Sequence, residues 1–484
     1  MKKNSIYLLC VYIIAMTTAC NDMDLFPHDQ LGAETFWKTE GDIQMGVAGV
    51  YSTIKSDALD FHRYRVDNIT DNSWQWTNGG SSGIVQRGSI EPTTGGVIST
   101  MYNANYKGIA ACNNFMKNFP TAKVNAKISE TKANEYEAEI RFLRALFYFD
   151  LVYFYGDVPL YKEAIESVEA SKVKQSPASE VYAFIKEDID FAIEYLPATA
   201  YGSGHAVKGS AQALKARIAL FQSDWNTVES VTKEIISSGT YELADSYWSI
   251  FIKREGQKNN PEILFSVTYL NPDIRHNAET EYYYQCEIEP MDNLMKCYDP
   301  EDVRLKEWYV NVGLNQKTFE NPFGETATVE QGSQTGWLLL KHMDKYRKET
   351  YSLSNYDFRT DNDIILLRYA DVYLMYIEAM VEKGSGNTTD ALALKAMNEI
   401  RTRAGLAPAT SISRDLLRLE RRRELAFEGL RHFDLVRWRT AKEVMTGLDT
   451  PMGPCLFYDH YYTWPFPQSE MDINPQLDQK PGYL

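Results

Sequence analysis

The chain has 484 residues, 44% of them hydrophobic and 13% aromatic, which is typical of a globular protein and excludes a largely disordered one. Its formal net charge of −16 argues against nucleic acid and anionic membrane surfaces as partners, since both select for basic patches. The length indicates one large compact domain or two closely packed lobes.

Residues 1–19 have the pattern of a targeting segment that is removed from the mature protein. Lys2 and Lys3 precede an apolar run over Ile6–Met16, and small residues then lead to Cys20. The pattern predicts cleavage before Cys20 and lipidation of its thiol; ordinary secretion and an uncleaved anchor are the alternatives. No other run of the sequence is apolar enough for a membrane span.

The later cysteines show no CxxC pair and no spacing typical of a metal site. Cys286 and Cys297 could form a disulfide in an oxidising compartment. The alternative, which we favour, is that both are free thiols.

Two helices are predicted in the first part of the mature chain. Thr39 and Asp42 have the spacing of a capping box, and Ile43 and Val47 begin the apolar face of the helix that follows. A second helix is predicted over Met101–Phe119.

A loop-rich stretch, Tyr64–Gly96, lies between these helices and contains the first candidate ligand residues. Trp74 and Trp76 are two apart and would point to one side of an extended segment, forming an aromatic platform. Asp71 and Asn72 precede them. Aromatic rings cover the flat faces of sugars, and carboxamide or carboxylate groups form hydrogen bonds with the sugar hydroxyls. This combination therefore favours carbohydrate binding.

The segment Glu137–Leu160 predicts a central helix. From Ala145 to Tyr155 every residue except Asp150 is apolar or aromatic, so the helix should be buried on all sides. Glu137 is four residues from Arg141 and should face it, and Gly156 should end the helix.

Three further helices are predicted over Ser176–Pro197, Lys208–Phe221 and Trp225–Ser237. In the middle one, Lys215 and Arg217 are expected to point outward. The small and aromatic residues at helical spacing indicate packed helix pairs similar to tetratricopeptide repeats.

The second half predicts a β-rich run over Glu262–Tyr269, followed by an irregular stretch to about residue 334 that is rich in aromatic residues. From this stretch come three more ligand candidates, Tyr283, Trp308 and Tyr309. Helical spacing then returns over Asp363–Ala379, and a further helix is predicted over Asp390–Arg403. The segment Leu416–Trp438 follows.

The last of these segments holds the sequence ERRRELAFEGLRHFDLVRW at residues 420–438, in which charged residues alternate with an apolar stripe. Charges so close to the core must be paired if they are buried. No nucleophile, zinc-protease, phosphate-loop or dinucleotide motif occurs, and the seven histidines lack ligand spacing. The sequence therefore predicts a protein that is not an enzyme and has no cofactor and no metal.

Three segments resemble the SusD/RagB family: residues 137–160 (EAEIRFLRALFYFDLVYFYGDVPL), residues 363–379 (DIILLRYADVYLMYIEA) and residues 420–438. The resemblance implies a mostly α fold, a TPR-like scaffold of helix pairs with large loop-rich insertions and short β segments. It implies an N-terminal helical region over 20–240 and a C-terminal region over 241–484, packed as one compact unit.

The resemblance also implies a lipoprotein of the cell outer membrane, anchored through Cys20 and facing the cell surface. Such a protein binds a glycan and delivers it to a SusC-like TonB-dependent transporter, acting as its lid. The alternatives are uptake of peptides, as in the RagB branch, and a purely structural role as a TPR-like partner of the transporter. The ligand site is expected on the loop insertions, at Asp71, Asn72, Trp74, Trp76, Tyr283, Trp308 and Tyr309.

Overall fold

The computed structural model describes residues 36–55, 61–75, 81–202, 204–320, 326–329, 331–344 and 359–483. Helices dominate these ranges and the strands form short two-stranded pairs, which confirms the predicted mostly α fold with short β segments. The predicted lipidation site Cys20 and the candidate Trp76 lie outside the described residues. Within the described ranges, no helix combines the length and the apolar character that crossing a membrane requires.

The described helices are, in chain order, α1 (Glu40–Ser52), α2 (Ser81–Gln86), α3 (Val97–Ala126), α4 (Glu130–Tyr155), α5 (Ala178–Tyr195), α6 (Lys208–Phe221), α7 (Trp225–Ser237), α8 (Tyr247–Phe251), α9 (Asp292–Met295), α10 (Val303–Trp308), α11 (Tyr369–Lys383), α12 (Ala391–Arg403), α13 (Arg414–Glu424), α14 (Arg431–Arg437), α15 (Ala441–Met445) and α16 (Gln468–Ile473).

The described strands are β1 (Ser73–Gln75), β2 (Ile263–Val267), β3 (Ile288–Pro290), β4 (Tyr309–Asn311), β5 (Thr318–Glu320), β6 (Thr326–Thr328), β7 (Trp337–Leu339), β8 (Ile364–Arg368), β9 (Asn387–Thr388), β10 (Ile412–Ser413), β11 (Asp449–Thr450) and β12 (Gly453–Pro454). They pair antiparallel as β1–β3, β2–β8, β4–β7, β5–β6, β9–β10 and β11–β12.

The first helix begins with the capping box that the sequence predicts. The backbone N–H of Asp42 donates to Thr39 Oγ1 at 3.2 Å, and the backbone N–H of Thr39 donates to Asp42 Oδ2 at 2.7 Å. Ile43 and Val47 of α1 are buried, as its periodicity requires.

The central helix α4 is buried around its whole circumference from Ala145 to Tyr155, which confirms the prediction. Asp150, the charged residue of this run, pairs with Arg63, which directly precedes the first loop-rich stretch. Gly156 follows the last helical residue with a φ of +66°, a conformation that side-chain-bearing residues rarely adopt. The predicted pair of Glu137 and Arg141 is formed at 2.6 Å, on the partly exposed first half of α4.

One buried arginine joins three helices of the N-terminal half. Arg144 of α4 donates from Nε and Nη2 to the carboxylate of Asp188 on α5, at 2.8 and 2.9 Å. Its Nη1 donates to Asn113 Oδ1 on α3 at 2.7 Å. Because all three side chains are buried, this network fixes how α3 and α5 pack on α4.

The helices then stack in sequence, α5 on α6, α6 on α7 and α7 on α11, as expected for a TPR-like scaffold. The prediction that Arg217 points outward is wrong. Its side chain is buried and donates from Nη2 to Asp371 Oδ2 on α11 at 2.8 Å, so the ion pair replaces the hydration that the guanidinium loses. Lys215 is partly exposed and pairs with Asp190 at 2.6 Å.

The β-rich run predicted over Glu262–Tyr269 contains β2, which confirms that prediction. The helix predicted over Asp363–Ala379 starts later than expected, because Ile364–Arg368 is strand β8. All five residues of β8 are buried, and a fully buried strand has no alternating pattern that would distinguish it from a helix. β8 pairs antiparallel with β2.

One apolar cluster runs through the described chain, from Ile43 on α1 to Tyr483 near the C-terminus. Cys286 is buried and Cys297 partly buried, and both are free thiols. The favoured alternative of the sequence analysis is therefore confirmed, and these two cysteines form no disulfide in this structure.

Candidate functional site

The two loop-rich stretches of the sequence lie together, although more than 200 residues separate them. In the β1–β3 pair, Ser73 lies opposite Pro290 and Trp74 opposite Glu289. Strand β7 contacts β3 and pairs with β4. We call the unit formed by β1, β4, β7, Trp308 directly before β4, and residues 280–290 the loop layer; residues 280–290 comprise the π-helical turn Thr280–Tyr284 and the chain through β3.

The loop layer rests on the arginine-rich motif, which forms a buried network of ion pairs. At its centre, the carboxylate of Glu424 accepts from Arg304 and Arg368 at 2.8 Å and from Arg403 at 2.7 Å. Burial opposes ionisation of Glu424, but Arg403, Arg368 and Arg304 outweigh it and hold the pKa of this carboxyl well below its usual range. The prediction that the charges of the motif are paired is confirmed.

Asp71 and Asn72 attach the loop layer to this motif. Arg431 donates to Asp71 from Nε at 2.8 Å and from Nη2 at 3.0 Å, and Arg422 lies 2.8 Å from the same carboxylate. Arg422 also donates from Nε to Asn72 Oδ1 at 2.9 Å. Burial opposes ionisation of Asp71, yet the two arginines lower the pKa of its carboxyl.

Asp67 makes a second attachment. Its Oδ1 accepts from the backbone N–H of Arg431 at 3.2 Å, while its buried Oδ2 has no hydrogen-bond partner among the described residues. Burial raises the pKa of Asp67 to about 7. The chain of the motif comes so close here that a Cβ on Gly429 would lie 2.5 Å from the backbone oxygen of Arg63, so this position requires glycine.

The aromatic candidates are packed inside the layer. Trp308 is 1% exposed, with Lys341 Nζ 3.9 Å from its ring centroid and the edge of Tyr247 against it. The Tyr309 hydroxyl lies 3.0 Å from that of Tyr298. Trp74 is likewise 1% exposed.

The expectation that these side chains are displayed on the surface is therefore wrong for the six candidates that the structure describes: Asp71, Asn72, Trp74, Tyr283, Trp308 and Tyr309. The physical reason is that the polar groups of Asp71 and Asn72 bond to arginines of the motif, while the aromatic rings are buried in packing contacts within the protein. The predicted ligand contact at Trp76 lies outside the described residues, and with it the two-tryptophan platform.

The layer has a different partly exposed aromatic residue, Trp337, at the start of β7 and opposite Asn311 on β4. Phe319 is also partly exposed and packs at 6.0 Å against Tyr283. Polar groups on the same layer include Glu287, which accepts from Gln75 Nε2 at 2.9 Å.

The turn before Trp337 is held by a buried carboxylate. Glu289 accepts from Ser333 Oγ at 2.8 Å and from the backbone N–H groups of Gln334 and Thr335 at 3.1 and 2.7 Å. Trp337 lies beside the irregular stretch of the sequence and is not among the predicted ligand residues. In the sequence, this tryptophan directly follows a turn rich in Gly, Ser and Gln, QGSQTGW. Such a pattern does not show whether the side chain is exposed.

Two family models match the chain. The one described as the SusD family covers residues 223–483, and the one described as starch-binding, associating with outer membrane, covers residues 24–220. The chain belongs to the SusD family. The three motifs that suggested the resemblance fall within the matched ranges, so the SusD/RagB assignment is confirmed.

Individual SusD-family proteins are similar along most or nearly all of the chain. A SusD-like protein P2 of Formosa agariphila is 25% identical, covering 99% of both chains. The starch-binding protein SusD of Bacteroides thetaiotaomicron is 23% identical, covering 72% of both. A solved structure of a SusD-like protein from Bacteroides fragilis is 27% identical with a TM-score of 0.77, covering 95% of this chain and 100% of that one.

The SusD family is a family of glycan-binding proteins associated with the outer membrane. Among the residues that the structure describes, no three His, Cys, Asp or Glu side chains are grouped as ligands of a metal ion.

Proposed function

We propose that this protein captures a glycan on the loop layer at the cell surface and delivers it to a SusC-like TonB-dependent transporter. The observation that carries the proposal is the joining of two loop-rich segments into one layer on a rigid, ion-paired base, with Trp337 partly exposed on it. Binding sites are commonly built in this way, on loops that a fixed scaffold positions.

The chemistry of the layer suits a sugar. The Trp337 ring offers a flat apolar face, which stacks on the C–H face of a pyranose. Asn311 and Glu287 add an amide and a carboxylate on the same layer for the hydroxyl groups. The buried Glu289 positions the Trp337 turn without contacting the ligand.

The buried carboxylates that pair with arginines support binding without catalysis. Those of Glu424 and Asp71 accept from arginines, and the depressed pKa of each keeps it ionised and unsuited to donate a proton. The protein is therefore expected to bind its ligand without converting it chemically.

The anchor and the transporter contact complete the proposal. Lipidation of Cys20 would hold the protein at the outer membrane, facing outward. The stacked helices α5, α6 and α7 leave a groove of about 750 Å3 with Ile189 and Ile218 among its apolar residues and Lys186 and Glu234 among its charged ones. We assign this groove to the transporter, over which the protein acts as a lid.

The binding proposal is tested by replacing Trp337 with alanine and measuring retention of the purified protein in native gels that contain soluble starch or other polysaccharides. The matched control is Trp225→Ala, which removes another partly buried indole, from α7. Retention by at least one polysaccharide, lost in Trp337→Ala and kept in Trp225→Ala, is the expected result. Retention that survives Trp337→Ala would contradict the proposed surface.

The same proteins titrated with a mixture of short peptides distinguish the alternative ligand class. Peptide binding without polysaccharide retention would favour a peptide-uptake protein. Binding of neither ligand, with transporter association intact, would favour a purely structural partner.

The transporter contact is tested by Ala183→Arg, which places a large cation in the groove at an exposed position of α5. Co-purification of the transporter from outer membranes should fall while glycan retention stays unchanged. Cys20→Ala should release the protein from the membrane fraction; its persistence there would contradict the lipid anchor.

A further inference from the structure

A second pocket lies between α3, the loop after α4 and the C-terminal helix α16. It has a volume of about 220 Å3 and none of its lining residues belongs to the loop layer. Three tyrosine rings, Tyr102, Tyr106 and Tyr161, form much of its wall, and Glu470 of α16 brings a carboxylate to it. The rings of Tyr102 and Tyr106 lie 4.7 Å apart and that of Tyr161 stands edge-on at 5.7 Å from Tyr106.

The hydrogen-bond donors of this wall are largely used within the protein. The Tyr106 hydroxyl donates to the backbone oxygen of Pro159 at 2.9 Å, and that of Tyr161 to Ser171 O at 2.6 Å. Asn113 Nδ2 donates to the backbone oxygens of Tyr161 and Glu163 at 2.8 and 3.1 Å. These groups therefore leave few free hydrogen-bond donors for a ligand that accepts hydrogen bonds, such as an anion or a neutral hydroxyl group.

The pocket instead offers a negative charge. Glu470 is partly buried, and burial raises the pKa of its carboxyl. Glu470 lines the pocket together with Tyr102 and Tyr161. After burial, its charge is the next cause that raises the pKa of both phenols.

Three lysines close in sequence to the lining residues make contacts of their own. Lys117 pairs with Glu166 at 2.7 Å, Lys172 pairs with Glu169 at 3.0 Å, and Lys162 lies over the ring of Phe184. A positive charge from a ligand would therefore meet the carboxylate without a competing side chain from this set.

We propose that this pocket binds a primary ammonium group carried on a small carbon frame. Glu470 pairs with the ammonium, and the electron-rich faces of Tyr106 and Tyr161 attract it further. Ile165 and Ile473, which line the pocket and are 43% and 56% exposed, cover the carbon frame. An amino sugar and a lysine side chain both supply this chemistry.

Calorimetric titration of the whole protein with three probes tests the proposal. Glucosamine and Nα-acetyl-lysine amide carry the ammonium on different frames, and N-acetylglucosamine keeps the sugar ring but lacks the charge. At least one ammonium probe should bind at least tenfold more tightly than N-acetylglucosamine. Preference for glucosamine identifies an amino sugar as the source, and preference for the lysine amide identifies a lysine side chain.

Two variants locate the binding. Glu470→Gln should weaken the ammonium probe at least tenfold, whereas Glu443→Gln, which removes an exposed carboxylate from another short helix, should not. Ile473→Lys places an ammonium at the mouth, where it should compete with the probe without lowering thermal stability. Absence of binding by both ammonium probes, equal affinity for N-acetylglucosamine, or full binding in Glu470→Gln would each overturn the proposal.

Discussion

Removing the carboxylate of Asp71 should destabilise the protein more than any surface charge change. Asp71 is 2% exposed and its carboxylate accepts two hydrogen bonds from Arg431, at 2.8 and 3.0 Å, with Arg422 2.8 Å away. Asp71→Ala leaves two nearly buried guanidinium groups without this counter-charge. Removal of one partner of a buried pair costs about 3–5 kcal/mol, so we expect a loss of about 3 kcal/mol in the free energy of unfolding.

The assay is urea denaturation followed by tryptophan fluorescence at neutral pH. The control is Asp478→Ala, because Asp478 pairs with Lys174 at 2.7 Å while both side chains are more than 60% exposed. That substitution should cost less than about 1 kcal/mol. An Asp71→Ala loss no larger than the Asp478→Ala loss would refute the role of Asp71 as an attachment of the loop layer.

The acid side of the stability profile gives a further check on the same residue. The pKa of Asp71 is lowered in the folded protein, so its contribution is present above the ordinary carboxyl pKa of about 4 and is lost as the pH falls through the lower folded value. The difference between the parent and Asp71→Ala should therefore shrink in strongly acidic solution.

Two other predictions concern Asp67, at the base of the site, and Gly156, at the end of α4. The pKa of Asp67 is raised to about 7, so its contribution to stability is fully present below about pH 4 and is lost as the pH rises through 7. Asp67→Asn should flatten this part of the profile in denaturation experiments from pH 5 to 8; parallel profiles would contradict it. Gly156→Ala forces a side chain into a φ of +66° and should lower the free energy of unfolding by about 1–3 kcal/mol, measured against Gly49→Ala, where a Cβ meets nothing within 4 Å. Equal losses would contradict the strain argument.

The helical frame could be predicted from the sequence because its signals are local. The all-apolar run Ala145–Tyr155 requires burial on all sides, and the Thr39 and Asp42 spacing determines where α1 begins. Strand β8 could not be distinguished from the helix after it. Its five successive buried residues show neither the two-residue alternation of a half-buried strand nor the 3.6-residue spacing of an amphipathic helix. Arg217 was expected outside because its partner Asp371 lies 154 residues away.

For the candidate site, too, only the features with local sequence signals could be predicted. The sequence identified the two segments that form the loop layer, since both combine aromatic residues with turn-forming ones. Which side chains face inward depends on contacts such as that of Arg422 with Asn72, 350 residues apart, and no local pattern contains it. Asp71 and Trp308 therefore have the composition of a binding site but hold the layer in place, while Trp337 stays accessible.

The central claim is that ligand binds on the loop layer, and hydrogen–deuterium exchange with and without a retained glycan measures this most directly. We predict that the glycan slows exchange in the segments 285–290 and 309–312 and around Trp337, while the groove helices α5, α6 and α7 exchange at unchanged rates. Protection confined to α5–α7, with none in the loop layer, would contradict the account.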